Sequence, residues 1–128
     1  MRERSSYDYA IIRVVPRVER GECINVGVIL FCRTRNFLGA LTSLDERRLL
    51  ALAPTIDLEL VRRQLQLILL ICAGKPEAGS IACLSLSERF HWLISPRSTI
   101  IQTSSVHCGL CDDPEAALRR LLQTMVVT

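Results

Sequence analysis

The string His107-Cys108-Gly109-Leu110-Cys111-Asp112 sets imidazole, thiol and carboxylate groups within six residues, the side chains that bind zinc or carry thiol redox chemistry. A closed zinc site needs four ligands, usually as two close pairs. No second close pair of Cys or His follows, and His91 stands apart, so neither a metal nor a cofactor is expected. The redox reading of Cys108-x-x-Cys111 would want a strand-to-helix junction in a βαβ unit, which the strand order read below does not supply. Ser98 or Ser105 could be combined with His107 and Asp112 as nucleophile and base. No strained elbow motif accompanies them, and Gly21, Gly27 and Gly39 are not in nucleotide-loop spacing.

Two further stretches carry polar groups in suggestive places. In Arg20-Gly21-Glu22-Cys23-Ile24-Asn25-Val26-Gly27-Val28-Ile29-Leu30-Phe31 a charged turn runs directly into a strand-like apolar segment, which would put Glu22 and Asn25 at the mouth of a sheet. Gly27 inside that strand marks a bulge or a close backbone approach, either a sheet corner or a device that re-aims polar groups. In Trp92 to Thr99, Pro96 fixes a turn and Arg97, with the hydroxyls of Ser98 and Thr99, could clasp an anion. The competing reading pairs Arg97 with Glu22 or Asp112. Arg13, Glu22, Asn25, Arg97, Ser98 and His107 are therefore the candidate polar site, suited to an anionic substrate if they converge.

The elements that must position these residues follow from local pattern. Tyr7 to Val15 reads as a strand ended by Pro16, the run around Val26 to Phe31 as a second, and Asn36 to Leu44 as a third, joined by polar turns into an antiparallel meander. Ser43-Leu44-Asp45-Glu46 has capping-box spacing and starts a short helix to about Ala53. Asp57 caps a second helix to about Ala73, and Ser85 with Glu88 boxes a third. Gly74 to Gly79 reads as a loop and Ser98 to Val106 as a fourth strand. Asp112-Asp113-Pro114-Glu115 opens a last helix. The order β-β-β-α-α-α-β-α predicts an α+β domain, with an antiparallel sheet of about four strands covered by helices on one face. In the second helix, Leu67 to Ala73 has no polar side chain, so Leu67, Leu70 and Ile71 face either the core or a partner.

Composition narrows the function classes. The 128 residues are 49% hydrophobic, enough for a single domain spanning 1–128 with one packed core. A net charge of +3, with basic residues scattered in pairs, argues against a nucleic-acid binder. Of the 16 basic residues only Lys75 is not arginine, a choice better explained by codon bias than by site chemistry. The charged N-terminus lacks a signal-peptide core. The longest apolar run is far short of the roughly 20 residues that span a bilayer. The expected setting is the cytoplasm, with six cysteines serving mostly as buried thiols.

Tyr7-Asp8-Tyr9 through Arg13, the Arg20-Gly21-Glu22-x-x-Asn25-Val26-Gly27-Val28 stretch, Trp92 through Ser98-Thr99, and His107-x-Gly109 before Asp113-Pro114 resemble the bacterial family catalogued as domain of unknown function 3037, over nearly the whole chain. The resemblance implies a small cytoplasmic bacterial protein, often encoded beside a kinase-like protein of the HipA type, with no established activity. The sequence leans away from an enzyme. The first expectation is a protein-interaction or regulatory module, partnering that kinase-like protein or itself. The alternative is an enzyme or ligand-binding domain for an anionic substrate using Arg13, Glu22, Asn25, Arg97 and His107. Convergence of those side chains in one pocket would favour the alternative, and dispersal the first.

Overall fold

The computed structural model describes residues 3–97 and 99–127. Three strands, β1 (Ser5–Val14), β2 (Ile24–Cys32) and β3 (Phe37–Thr42), form the expected antiparallel meander, followed by the helices α1 (Glu46–Leu52), α2 (Leu58–Ala73) and α3 (Leu86–Leu93). Two short strands, β4 (Ile101–Thr103) and β5 (His107–Cys111), and the helix α4 (Pro114–Met125) complete the chain. The sheet order is β3-β2-β1-β4, with β5 also pairing β1. The fold is α+β, as the element order predicts.

The centre of the sheet turns on a bulge at the Asn25-Val26-Gly27 motif. Ile12 pairs with Gly27 but Arg13 pairs with Asn25, so Val26 is an extra residue on β2. Side chains on a strand alternate between faces, and the extra residue shifts that alternation. Ile24 before the bulge and Val26 within it therefore share a face with Ile29 and Phe31 beyond it. Gly27 makes room for this. A Cβ there would lie 2.7 Å from the Leu41 carbonyl oxygen and 3.0 Å from Ile12 Cδ1.

Two expectations about layers need correction. The sheet is covered on both faces, not one. Ile12, Val14, Val26, Ile29 and Phe31 pack against α1, α2 and α3 through Leu49, Val61, Leu65, Ile68, Phe90 and Leu93. Val28, Leu30 and Cys32 point the other way, to Ala117, Leu118 and Leu121 of α4. A strand with apolar side chains facing both ways must be covered on both sides. The expected single strand over 98–106 is instead β4 alone, and β5 is an additional strand on the same edge of β1. Ser104 bridges the gap between them: its Oγ accepts the Ile11 N–H at 2.9 Å and its N–H donates to the Ile11 carbonyl at 2.9 Å. β5 owes its form to pairing with β1, where the Tyr7 ring lies directly over Gly109.

Helix ends largely follow local chemistry. Asp57 accepts the Leu60 N–H, Ser85 and Glu88 form the reciprocal box, and Asp113 accepts the Glu115 N–H before Pro114. In α1 the cap is Asp45, whose carboxylate accepts the Arg48 N–H, and not Ser43; the Ser43 N–H bonds the Val26 carbonyl just past the end of β3. The expected loop after α2 holds two short 3-10 turns, Pro76–Ala78 and Ser80–Cys83. No helix among the described residues is long and apolar enough to cross a membrane.

Candidate functional site

Among the described polar candidates, strand pairing and the bulge bring only Arg13 and Asn25 together. They are register partners on the α4 side of the sheet, and Arg13 Nε donates to Asn25 Oδ1 at 3.3 Å. Asn25 Nδ2 in turn donates to the Met125 carbonyl at 3.1 Å. That bond satisfies a carbonyl in the last turn of α4, which no intrahelical N–H reaches. Asn25 thus fastens β2 to the end of the helix on its own face.

The other candidates have partners elsewhere. Glu22 lies in the β1–β2 connection and pairs with Arg20 Nε. Arg97, in the loop after α3, lies 4.2 Å from the centroid of the Trp92 ring and donates from Nη2 to the Trp92 carbonyl at 2.6 Å. It meets neither Glu22 nor Asp112. Burial holds the Arg97 pKa below the usual guanidinium range, while the π face beneath it offsets lost hydration. The His107 ring packs against that of Tyr9, its register partner, with centroids 5.4 Å apart and planes tilted by 35°. Tyr9 is four residues before Arg13 on β1, roughly 13 Å at strand rise. Ser98 lies outside the described residues. Among the described residues, Arg13, Glu22, Asn25, Arg97 and His107 do not assemble into one pocket.

The Cys108-x-x-Cys111 pair lies in extended β5, and three residues along a strand is an odd step, so the two thiols point to opposite faces. Cys111 is buried beside Cys32 in the core under α4. Cys108 is exposed and donates to Asp8 Oδ1 at 3.3 Å, an interaction that raises its pKa because the carboxylate favours the protonated thiol. Among the described residues no group of three or more His, Cys, Asp or Glu side chains could hold a metal ion.

Of the interface candidates, Leu67 is 40% exposed, Leu70 is half-buried and Ile71 is only 1% exposed. Ile71 is core, inside the cluster with Leu65, Ile68 and Phe90, because α2 turns it toward the sheet. The exposed Leu60 is seven residues before Leu67 and so lies on the same side of the helix.

Arg89 went unnoticed in the sequence. It is buried, and donates from Nε to Leu84 O at 3.0 Å and from Nη1 to Ile71 O and Cys72 O at 2.8 and 3.0 Å. Its charge closes the carbonyl end of α2, where the helix dipole favours a cation. The signal was available: Leu86, Arg89, Phe90 and Leu93 fall at i, i+3, i+4 and i+7, placing Arg89 on the apolar face.

Two clefts remain. One, of about 410 Å³, separates the β1–β2 connection from the α1–α2 turn and is lined by Pro16, Arg17, Arg20, Glu22, Leu52, Ala53, Pro54, Thr55 and Ile56. The other, of about 250 Å³, lies beside Ser6, Asp8, Arg33, Thr34 and His91. Neither the curated proteins nor the solved structures yield a match to this chain. A family model matches residues 9–126, with the description "Protein of unknown function (DUF3037)". Nearly the whole chain is thereby covered, and the protein belongs to that family.

Proposed function

We propose that the protein is a protein-interaction or regulatory module of the bacterial cytoplasm, and not an enzyme built on the Arg13, Glu22, Asn25, Arg97 and His107 set. One observation carries this reading: each of those five side chains has its own partner, Arg13 with Asn25, Glu22 with Arg20, Arg97 with Trp92 and His107 with Tyr9. Catalysis needs groups that converge on one reacting atom, and these groups are spent holding strands, loops and a helix end in place.

The surface we assign to the partner is the side of α2 that carries Leu60 and Leu67, with Leu70 half-buried beside it. Exposed leucines at this spacing suit an apolar contact with another protein. The partner class proposed is a kinase-like protein of the HipA type, following what the resemblance implies. Co-purification of that protein with the wild-type chain and with Leu67→Glu is the test. Retention by the wild type and loss in a folded Leu67→Glu variant supports the proposal. Equal retention by both rejects the α2 surface, and no retention by the wild type rejects the partner class.

A further inference from the structure

The Arg20-Gly21-Glu22 turn takes no part in the α2 surface, yet its Arg20 and Glu22 form one lip of the larger cleft. The Arg20 N–H bonds the Arg17 carbonyl at 3.1 Å, and the Gly21 N–H bonds Arg17 and Val18 carbonyls at 3.3 and 3.2 Å. This turn brings Arg17 and Arg20, three residues apart, to the same cleft. Gly21 at φ 73° makes the turn possible, since side chains other than glycine rarely adopt that region. It also lets the chain double back so that Glu22 meets Arg20.

The form of that contact matters more than its charge. Glu22 Oε1 takes Arg20 through Nε, and no described residue engages the Arg20 Nη groups. A guanidinium held in this way is aimed by its acceptor and keeps its terminal Nη pair available, the arrangement that bonds carboxylate or phosphate oxygens two at a time. Arg17 has no side-chain partner among the described residues and adds a second positive charge. With one glutamate against two arginines, the cleft lining is net positive. Opposite the arginines, Leu52, Ala53 and Ile56 supply an apolar wall, with Pro16 and Pro54 restricting the backbone on either side.

We propose that this cleft binds a small organic anion, its carboxylate or phosphate group on Arg17 and Arg20 and its apolar part against Leu52, Ala53 and Ile56. Glu22 is a positioning residue that orients Arg20. The inference goes beyond the interaction reading and does not depend on it, because the cleft and the α2 leucines share no residue.

The test is an NMR titration of the full chain with inorganic phosphate and, separately, with butyrate, against chloride at matched ionic strength. Saturable amide shifts at residues 17–22, 52, 53, 55 and 56 are expected with at least one probe. Phosphate alone would assign a phosphoryl ligand, and butyrate a carboxylate with an alkyl tail. Arg17→Ala and Arg20→Ala should each weaken binding about tenfold or more, the loss of a charge-assisted hydrogen bond. Glu22→Gln and Glu22→Ala both remove the negative charge, so the positioning role is read from their difference: Glu22→Gln, which keeps the acceptor oxygen, should bind more tightly than Glu22→Ala. The proposal is overturned if neither probe saturates beyond the chloride control, or if binding survives both arginine substitutions unchanged in chains that melt as the wild type does.

Discussion

Replacing Gly27 tests whether the bulge at the centre of the sheet is as tightly built as its geometry implies. A Cβ at this position would lie 2.7 Å from the Leu41 carbonyl oxygen, against the 3.4 Å at which ordinary contact begins, with Ile12 Cδ1 at 3.0 Å and Thr42 Cγ2 at 3.1 Å. The backbone of β3 would have to retreat by some tenths of an ångström, and Leu41 is the register partner of Val28. Loosening one ladder bond costs about 1 kcal/mol, and overpacking costs about 1–3 kcal/mol. Lower entropy of the unfolded chain returns about 0.4–1 kcal/mol. Gly27→Ala should therefore lose about 2 kcal/mol. Gly27→Val, with two more methyl groups in the same space, should lose more. For a domain of this size each kcal/mol lowers Tm by about 4 °C, so the alanine variant should melt about 8 °C below wild type in a thermal scan. A Gly27→Val chain melting with the wild type would refute the close-approach reasoning, and the Asn-x-Gly motif would then need a functional explanation.

Arg89→Leu should cost about 3 kcal/mol in denaturant unfolding, because the carbonyls of Ile71, Cys72 and Leu84 lose their shared donor; a loss below about 1 kcal/mol would show that water replaces it. Cys72 should resist alkylation at neutral pH until the chain unfolds, since burial pushes its thiol up to about 12 despite the opposing pull of Arg89. Alkylation of Cys108 should speed up in Asp8→Asn, because the carboxylate that raises its pKa is gone; an unchanged rate at fixed pH would contradict the contact. Ile71→Glu should abolish folding by placing a charge in the core, whereas Leu67→Glu should change stability by no more than about 0.5 kcal/mol. Melting curves of the two variants separate the cases.

What could be read from the sequence was whatever is decided within a few residues. Asp57, Ser85 with Glu88, and Asp113 with Pro114 cap their helices as their spacing indicates, and Gly27 inside an apolar strand does mark a bulge. The cap of α1 is Asp45 and not Ser43 because Asp45 directly precedes the helix, while the Ser43 N–H bonds the Val26 carbonyl just past the end of β3. β5 was missed because His107 to Cys111 has little strand preference of its own and pairs only where β1 and the Tyr7 ring receive it. The second helical layer was legible but unread: Val28, Leu30 and Cys32 alternate with Ile29 and Phe31, and both sets are apolar. The described members of the candidate site stand apart for a different reason. Arg13, Arg97 and His107 are suitable chemically, but convergence depends on the sheet order and on which face each loop closes over. Neither is encoded within any one of the motifs.

The most direct measurement is native mass spectrometry of the tagged chain purified at endogenous expression level, run in parallel with Leu67→Glu. A protein-interaction role predicts a stoichiometric protein partner on the wild type and its loss from a variant that still melts normally. A wild-type chain that emerges without any protein partner, or a partner retained equally by Leu67→Glu, would contradict it.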